Sequence, residues 1–210
     1  LHTDGYDVYH KLPEQITVVG CLAHVRRKFD EALKIIPEQG RADSLALTGK
    51  RYCDRLFELE RNFSELTPEL RHEKRQEVSK PLLEAFFAWA DACGALPKTP
   101  VGKAVHDALS QRKYLERYLL DGRLEISNNR AERSIKPFVI GRKNFLFANT
   151  PRGAKASAIL FSIIETAKEN GLIPFDYLKH IFALAPNLDL LNPVHLHLLL
   201  PEYCNSDSGI

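Results

Sequence analysis

The sequence predicts an α-rich α/β fold, and three observations predict it. ITVVGC, residues 16–21, is a short β-branched run of the kind that fills a buried strand. Apolar residues at helical spacing then dominate from residue 22 to about 120. From residue 127 onward, capping residue types, prolines and a glycine stand where helices start and stop.

LHTDGYDVY precedes the strand run and reads as the tail of another strand, ending at Asp4-Gly5. After Cys21 the period changes. Leu22, Val25, Phe29, Leu33 and Ile36 form a helical stripe, Arg26, Arg27 and Lys28 lie largely off it, and Pro37 stops the helix. Tyr52, Leu56, Leu59, Phe63 and Leu66 make a helix-packing seam. Pro68 opens a second helix, Pro81 interrupts it, and Leu82, Phe86, Trp89 and Ala90 carry the apolar face onward. ACGALPKTP, 92–100, is a loop before the amphipathic helix of Val101, Ala104, Val105, Ala108, Leu115 and Leu119. A turn at Asp121-Gly122 follows. Ser127, Asn128 and Asn129 are N-cap residue types, so a helix is expected there with Glu132 in its first turns. Pro137 should end or kink it, leaving PFVIGRKNFLFA, 137–148, extended. A long helix spans about 151–170, with Ile159, Leu160, Ile163, Ile164 and Ala167 on one face and Gly171 at its C′ position. Pro174 starts the last clear helix, burying Phe175, Leu178, Ile181 and Phe182. The tail from about 186 is less regular, and its end, CNSDSGI, should fray.

Composition excludes some classes. The chain has 210 residues, 44% hydrophobic and 27% charged, as in an ordinary globular protein. No apolar run approaches the ~20 residues of a membrane helix, so no membrane partner is expected. Cys21, Cys53, Cys93 and Cys204 are too irregularly spaced for a disulfide framework, which favours a reducing cytosol. LHTDGYDVYH has no secretory pattern, and the absence of methionine suggests a start inside a longer reading frame. Net charge is only +2. The basic residues are locally dense: Arg123, Arg130, Arg133, Lys136, Arg142, Lys143, Arg152 and Lys155 stand against Glu125 and Glu132 alone. Such a block suits phosphate contact, and equally a solvated face.

Candidate carboxylates have local alternatives. Asp4 is placed to reach into a cleft from a strand end, or to brace a β-turn before Gly5. Glu132 fits a capping box with Asn129, or an ion pair with its cationic neighbours, or a metal ligand beside a polyanion. Cys21-x-x-His24 has half-zinc-site spacing without a second half, and His24 also suits a polar contact near the cleft. No nucleophile elbow, phosphate loop or dinucleotide fingerprint is present, and no small-molecule substrate is expected.

Two blocks carry a resemblance. GCLAHVRRKFDEA, 20–32, and EISNNRAERSIKPFVIGRKNFLFANTPRGAKASAILFSIIETAKENGLIPFDYL, 125–178, resemble the C-terminal half of transposases of the insertion-sequence 66 family. The resemblance implies the second half of a DDE-type catalytic domain, a partial ribonuclease H-like core with a large all-helical insertion. It divides the chain into a strand-and-helix piece at 1–36, the insertion at 37–120, the Glu-bearing helix and C-terminal core at 121–185, and a tail at 186–210. Asp4 then looks like the second catalytic Asp and Glu132 like the closing Glu, with Glu125 a poorer match. Together with a first Asp expected upstream, they would hold two Mg2+ or Mn2+ ions for DNA 3′-end cleavage and strand transfer. Arg26, Arg27, Arg130, Arg133, Lys136, Arg142, Lys143 and Arg152 would contact DNA, with His24, Asn128 and Asn129 beside the site. The implied partners are transposon-end and target DNA and further copies of the chain on DNA, in the bacterial cytosol at the nucleoid. With its first Asp upstream, this chain alone should be inactive. The alternatives are a truncated remnant that binds DNA or transposase subunits, and a plain helical interaction domain. The C-terminal Glu202-Tyr203 departs from the family pattern, which often has a tryptophan there.

Overall fold

The computed structural model describes residues 1–13, 15–145 and 148–204, without the side chains of Asp7, His10 and residues 142–145. The chain is mostly helical and divides into two compact units, Leu1–Ala131 and Glu132–Ile210. The end of the tail, 205–210, lies outside the described residues.

The first unit starts with extended chain. Val18 and Val19 are buried, whereas Ile16 and Thr17 of the same β-branched run are exposed. Thr3 N–H donates to Val19 O at 3.0 Å and Val19 N–H to Leu1 O at 2.8 Å. These bonds make one parallel bridge, His2 to Val19, and no strand forms among the described residues. The expected strand pair is thus reduced to a single bridge. The reason is local: Gly20 N–H turns instead to Tyr114 O at 2.9 Å, and Leu22 N–H to Ile126 O at 3.0 Å. A ladder needs a continuous edge, and helical segments take the next donors.

Helix α1, Leu22–Ile35, buries Leu22, Val25, Phe29 and Ala32 and ends just before Pro37. The short α2, Glu38–Arg41, leads to α3, Leu45–Asn62, which Ser44 caps by accepting Leu47 N–H. Leu56 and Phe63 of the seam are buried, and Cys53 joins them. Burial pushes the Cys53 thiol up to about 12, so it stays protonated. α4, Pro68–Lys74, is capped by Thr67. The helical path continues from it through a π-turn, Arg75–Ser79, into α5, Lys80–Ala92. The expected interruption at Pro81 is therefore a local widening. Lys80 N–H reaches back five residues to Arg75 O, and the proline enters the first turn of α5 without breaking the rod.

α6, Pro100–Ser110, and α7, Arg112–Leu115, complete the core, followed by a 3-10 turn, Glu116–Leu120. α1 packs on α3 and α6. Phe29 of α1, Tyr52 of α3 and Phe86 and Trp89 of α5 interlock, with Phe29 edge-on to Phe86 at 6.1 Å. Such pairs add to the area they bury.

Arg75 is the polar centre of this unit. Its side chain is 1% exposed and binds Glu60 with both ends of its fork, at 2.9 and 2.6 Å. It also donates to the carbonyls of Tyr118, Asp121 and Leu124 at 2.8–2.9 Å. A buried guanidinium needs this degree of satisfaction to be tolerated. The turn it holds is tight: a Cβ on Gly122 would stand 1.8 Å from Pro68 O.

α8, Asn129–Phe145, begins in the first unit and runs on into the second. It continues through Pro137, so the extended segment expected from that proline is absent over residues 137–145. An internal proline costs a helix about 3 kcal/mol. Phe138 supplies compensation by meeting Phe161 edge-on at 5.1 Å.

The remaining helices of the second unit are α9, Pro151–Glu169, α10, Pro174–Leu184, and the short α11, Pro193–His197. α9 closes on Gly171, at φ +71°, with Gly171 N–H to Lys168 O and Leu172 N–H to Ala167 O. That bond pair is a Schellman motif. The expected burial is not found here. Ile159, Leu160, Phe175 and Phe182 are exposed, and Ala167 and Tyr177 are the buried residues among those described. Periodicity located the helices, but the apolar stripes exceed what the described neighbours cover. Tyr177 is held by its hydroxyl, which donates to Leu199 O at 2.8 Å.

Candidate nucleic-acid interface

Asp4 stands at the end of the bridged segment and is exposed. Its Oδ1 accepts Tyr6 N–H at 3.1 Å, which stabilises the turn that Gly5 makes at φ +87°. Glu132 is exposed on α8 in the second unit. Asn129 is the first residue of α8, which places Glu132 in its first turn. Among the described residues, no group of three or more His, Cys, Asp and Glu side chains is placed to hold a metal ion.

The basic residues divide between the units. Arg130 lies in the first, 3.5 Å from Glu125. Arg133 and Lys136 are exposed on α8, and Arg152 on the first turn of α9. Arg142 and Lys143 continue α8, with side chains outside the described residues. His24 is half-buried in the first turn of α1. Asn128 N–H donates to Cys21 Sγ at 3.4 Å, and its Oδ1 is buried without a partner among the described residues. This sulfur contact ties the start of α8 to the start of α1.

Within the first unit, α1 and α3 frame a cleft of about 500 Å³ lined by Arg26, Arg27, Asp30, Asp54, Arg61 and Asn129. The sequence reading anticipated Arg26, Arg27 and Asn129; it missed Arg61. The missed signal is the spacing of Lys50, Asp54, Phe57 and Arg61, one polar-edged face of α3. Arg26 is paired with Asp54, which also takes Lys50 at 2.7 Å, while Asp30 takes Lys34 at 2.8 Å. Burial works against the charge on Asp54, yet hydrogen bonds from Lys50 and Arg26 keep its carboxyl below the ordinary value. The hydrogen bond from Lys34 does the same for Asp30. Arg27 and Arg61 are exposed and form no ion pair among the described residues. The cleft is therefore net positive and already hydrogen-bonded on its acidic side.

Comparison with known proteins gives this arrangement its context. The family described as Transposase IS66 matches residues 1–156. Three similar proteins come from Sinorhizobium fredii (strain NBRC 101917 / NGR234), each titled only as uncharacterized. The first, y4qI, is 36% identical over 191 residues, 85% of this chain and 34% of its own. The second, y4hP, is 33% identical over 177 residues, covering 80% and 32%. The third, y4jD, is 28% identical over 191 residues, covering 86% and 36%. The chain thus spans about a third of the length of these relatives. No solved structure matches. The match holds both motif blocks up to residue 156 and extends over more than half of the chain, and so the chain belongs to the IS66 family of transposases.

Proposed function

We propose that the chain is the second half of a DDE-type catalytic domain, acting in metal-dependent cleavage and joining of DNA 3′ ends. The supporting observation is the family match over residues 1–156, which includes both Asp4 and Glu132. In this reading the extended segments at 1–4 and 16–20 belong to a ribonuclease H-like core, and residues 37–120, with α2 to α7, form its insertion. Asp4 and Glu132 are exposed carboxylates, the hard oxygen donors that Mg2+ or Mn2+ prefers. They would hold the ions together with a carboxylate from a preceding segment. Two such ions supply activation of the attacking oxygen and stabilisation of the leaving one. Arg130, Arg133, Lys136 and Arg152 would position backbone phosphates without reading bases. The partners are transposon-end and target DNA, with further copies of the chain on DNA, in the bacterial cytosol.

The test uses the full-length transposase. Glu132→Gln should lower strand transfer by more than the roughly 10–100-fold typical of a metal site's outer partners, while DNA affinity is retained. Strand transfer at the unsubstituted rate would remove Glu132 from the metal site.

A further inference from the structure

We propose that the α1–α3 cleft is a phosphodiester subsite, in which Arg27 and Arg61 contact one DNA backbone phosphate. The inference rests on the DNA-transposition reading and adds to it a contact from the helical insertion, which the motif blocks do not include.

The cleft has the composition an anion needs. Arg26, Arg27 and Asp30 line it from α1 and Asp54 and Arg61 from α3, and Lys34 and Lys50 hold the two acids. The acids are thus occupied, and Arg26 is fixed by Asp54. That leaves the forks of Arg27 and Arg61 exposed, one from each wall. Guanidinium forks match the paired oxygens of a phosphodiester, and two from opposite walls would grip it from both sides. Asn129 adds the start of the 17-residue α8 to the lining. First-turn N–H groups of a helix have no intrahelical acceptor and carry partial positive charge. At about 500 Å³ the space accommodates a phosphate with its flanking sugars.

The wall geometry is also fixed in advance. α1 lies on α3 with the Phe29 ring against Gly49, where an added Cβ would stand 2.4 Å from it. Their polar sides are thereby held at a set spacing without needing DNA to arrange them. With the two backbones set in advance, binding has only the two side chains left to order.

The experiment measures binding of this chain to a fluorescent 20-base-pair duplex across a salt series, repeated with a second, unrelated duplex. Arg61→Ala should raise Kd several-fold on both duplexes and reduce the slope of log K against log salt by about 1. Arg61→Lys should keep the slope. Arg55→Ala, on the same helix but outside the cleft, should leave both values unchanged. Thermal unfolding confirms that each variant folds, with Arg61→Gln in reserve. Salt-dependent binding by the parent chain with an unchanged slope in Arg61→Ala and Arg27→Ala overturns the subsite alone. Absence of salt-dependent binding by the parent chain overturns the DNA reading itself, and the subsite with it. Binding of an acidic peptide, but not duplex, at the cleft overturns the subsite in favour of a protein partner.

Discussion

The two units are built from similar helices but protect them differently. In the first, Phe29, Leu56, Phe86 and Phe87 are fully buried, and the buried guanidinium of Arg75 is completely bonded. In the second, Phe175 is 74% exposed, Phe182 63% and Leu191 93%. Capping is equally good in both: Ser44, Thr67 and Thr99 in the first have their counterpart in Thr150 of the second. Local helix signals therefore do not decide burial. Burial depends on whether enough other helices are present to cover each stripe.

Trp89 is the sole tryptophan and sits among Phe29, Tyr52 and Phe86, so its fluorescence reports the first unit. The largest expected effect is Arg75→Ala. It strands Glu60, only 13% exposed, and the three carbonyls that Arg75 serves. Losing one partner of a buried pair costs about 3–5 kcal/mol. The urea midpoint of the Trp89 transition should fall accordingly; a small change would mean that the first unit does not depend on its polar centre.

Next comes one substitution made in both units. Leu56→Ala removes a fully buried side chain and should cost about 2–4 kcal/mol on the Trp89 transition. Leu160→Ala removes one that is 42% exposed and should shift that transition by less than about 0.5 kcal/mol. Equal costs would erase the contrast between the units.

The smallest effect is in pH. Hydrogen bonds to Asp54 outweigh its burial and leave its folded carboxyl lowered. A lowered carboxyl contributes stability above its unfolded value near 4, and that contribution is lost as pH falls through the folded value. Asp54→Asn should therefore reduce the loss of stability between pH 5 and acid by no more than the ~0.2–1 kcal/mol of an exposed ion pair. The comparison is of urea midpoints at both pH values, and an unchanged acid loss would show that the pair contributes nothing.

The helices were largely legible because caps and stripes are local. Pro68, Pro174 and Gly171 stand where the structure starts or ends helices. Pro137 misled because the compensating partner, Phe161, is 23 residues beyond Phe138 and no local pattern announces it. The strand at 16–21 reduced to a bridge because pairing depends on the neighbours available, not on β-branched content alone. Arg75 was invisible for a related reason: its carbonyl acceptors lie 43 to 49 residues away. Of the candidate site, Arg26, Arg27 and Asn129 were readable from the motif blocks. Arg61 became meaningful only once α1 was seen to face α3.

Gly122 and Gly94 mark opposite extremes of the space left around the backbone of the first unit. A side chain at Gly122 would collide with the backbone of Pro68, whereas nothing lies within 4 Å of a Cβ at Gly94. Beside Gly94, which is exposed and has open space around it, the loop at 93–99 is accordingly where a reporter peptide or a fusion tag can be spliced in. The turn at 121–124 admits neither, because any added residue would displace both Pro68 and the carbonyls bound to Arg75.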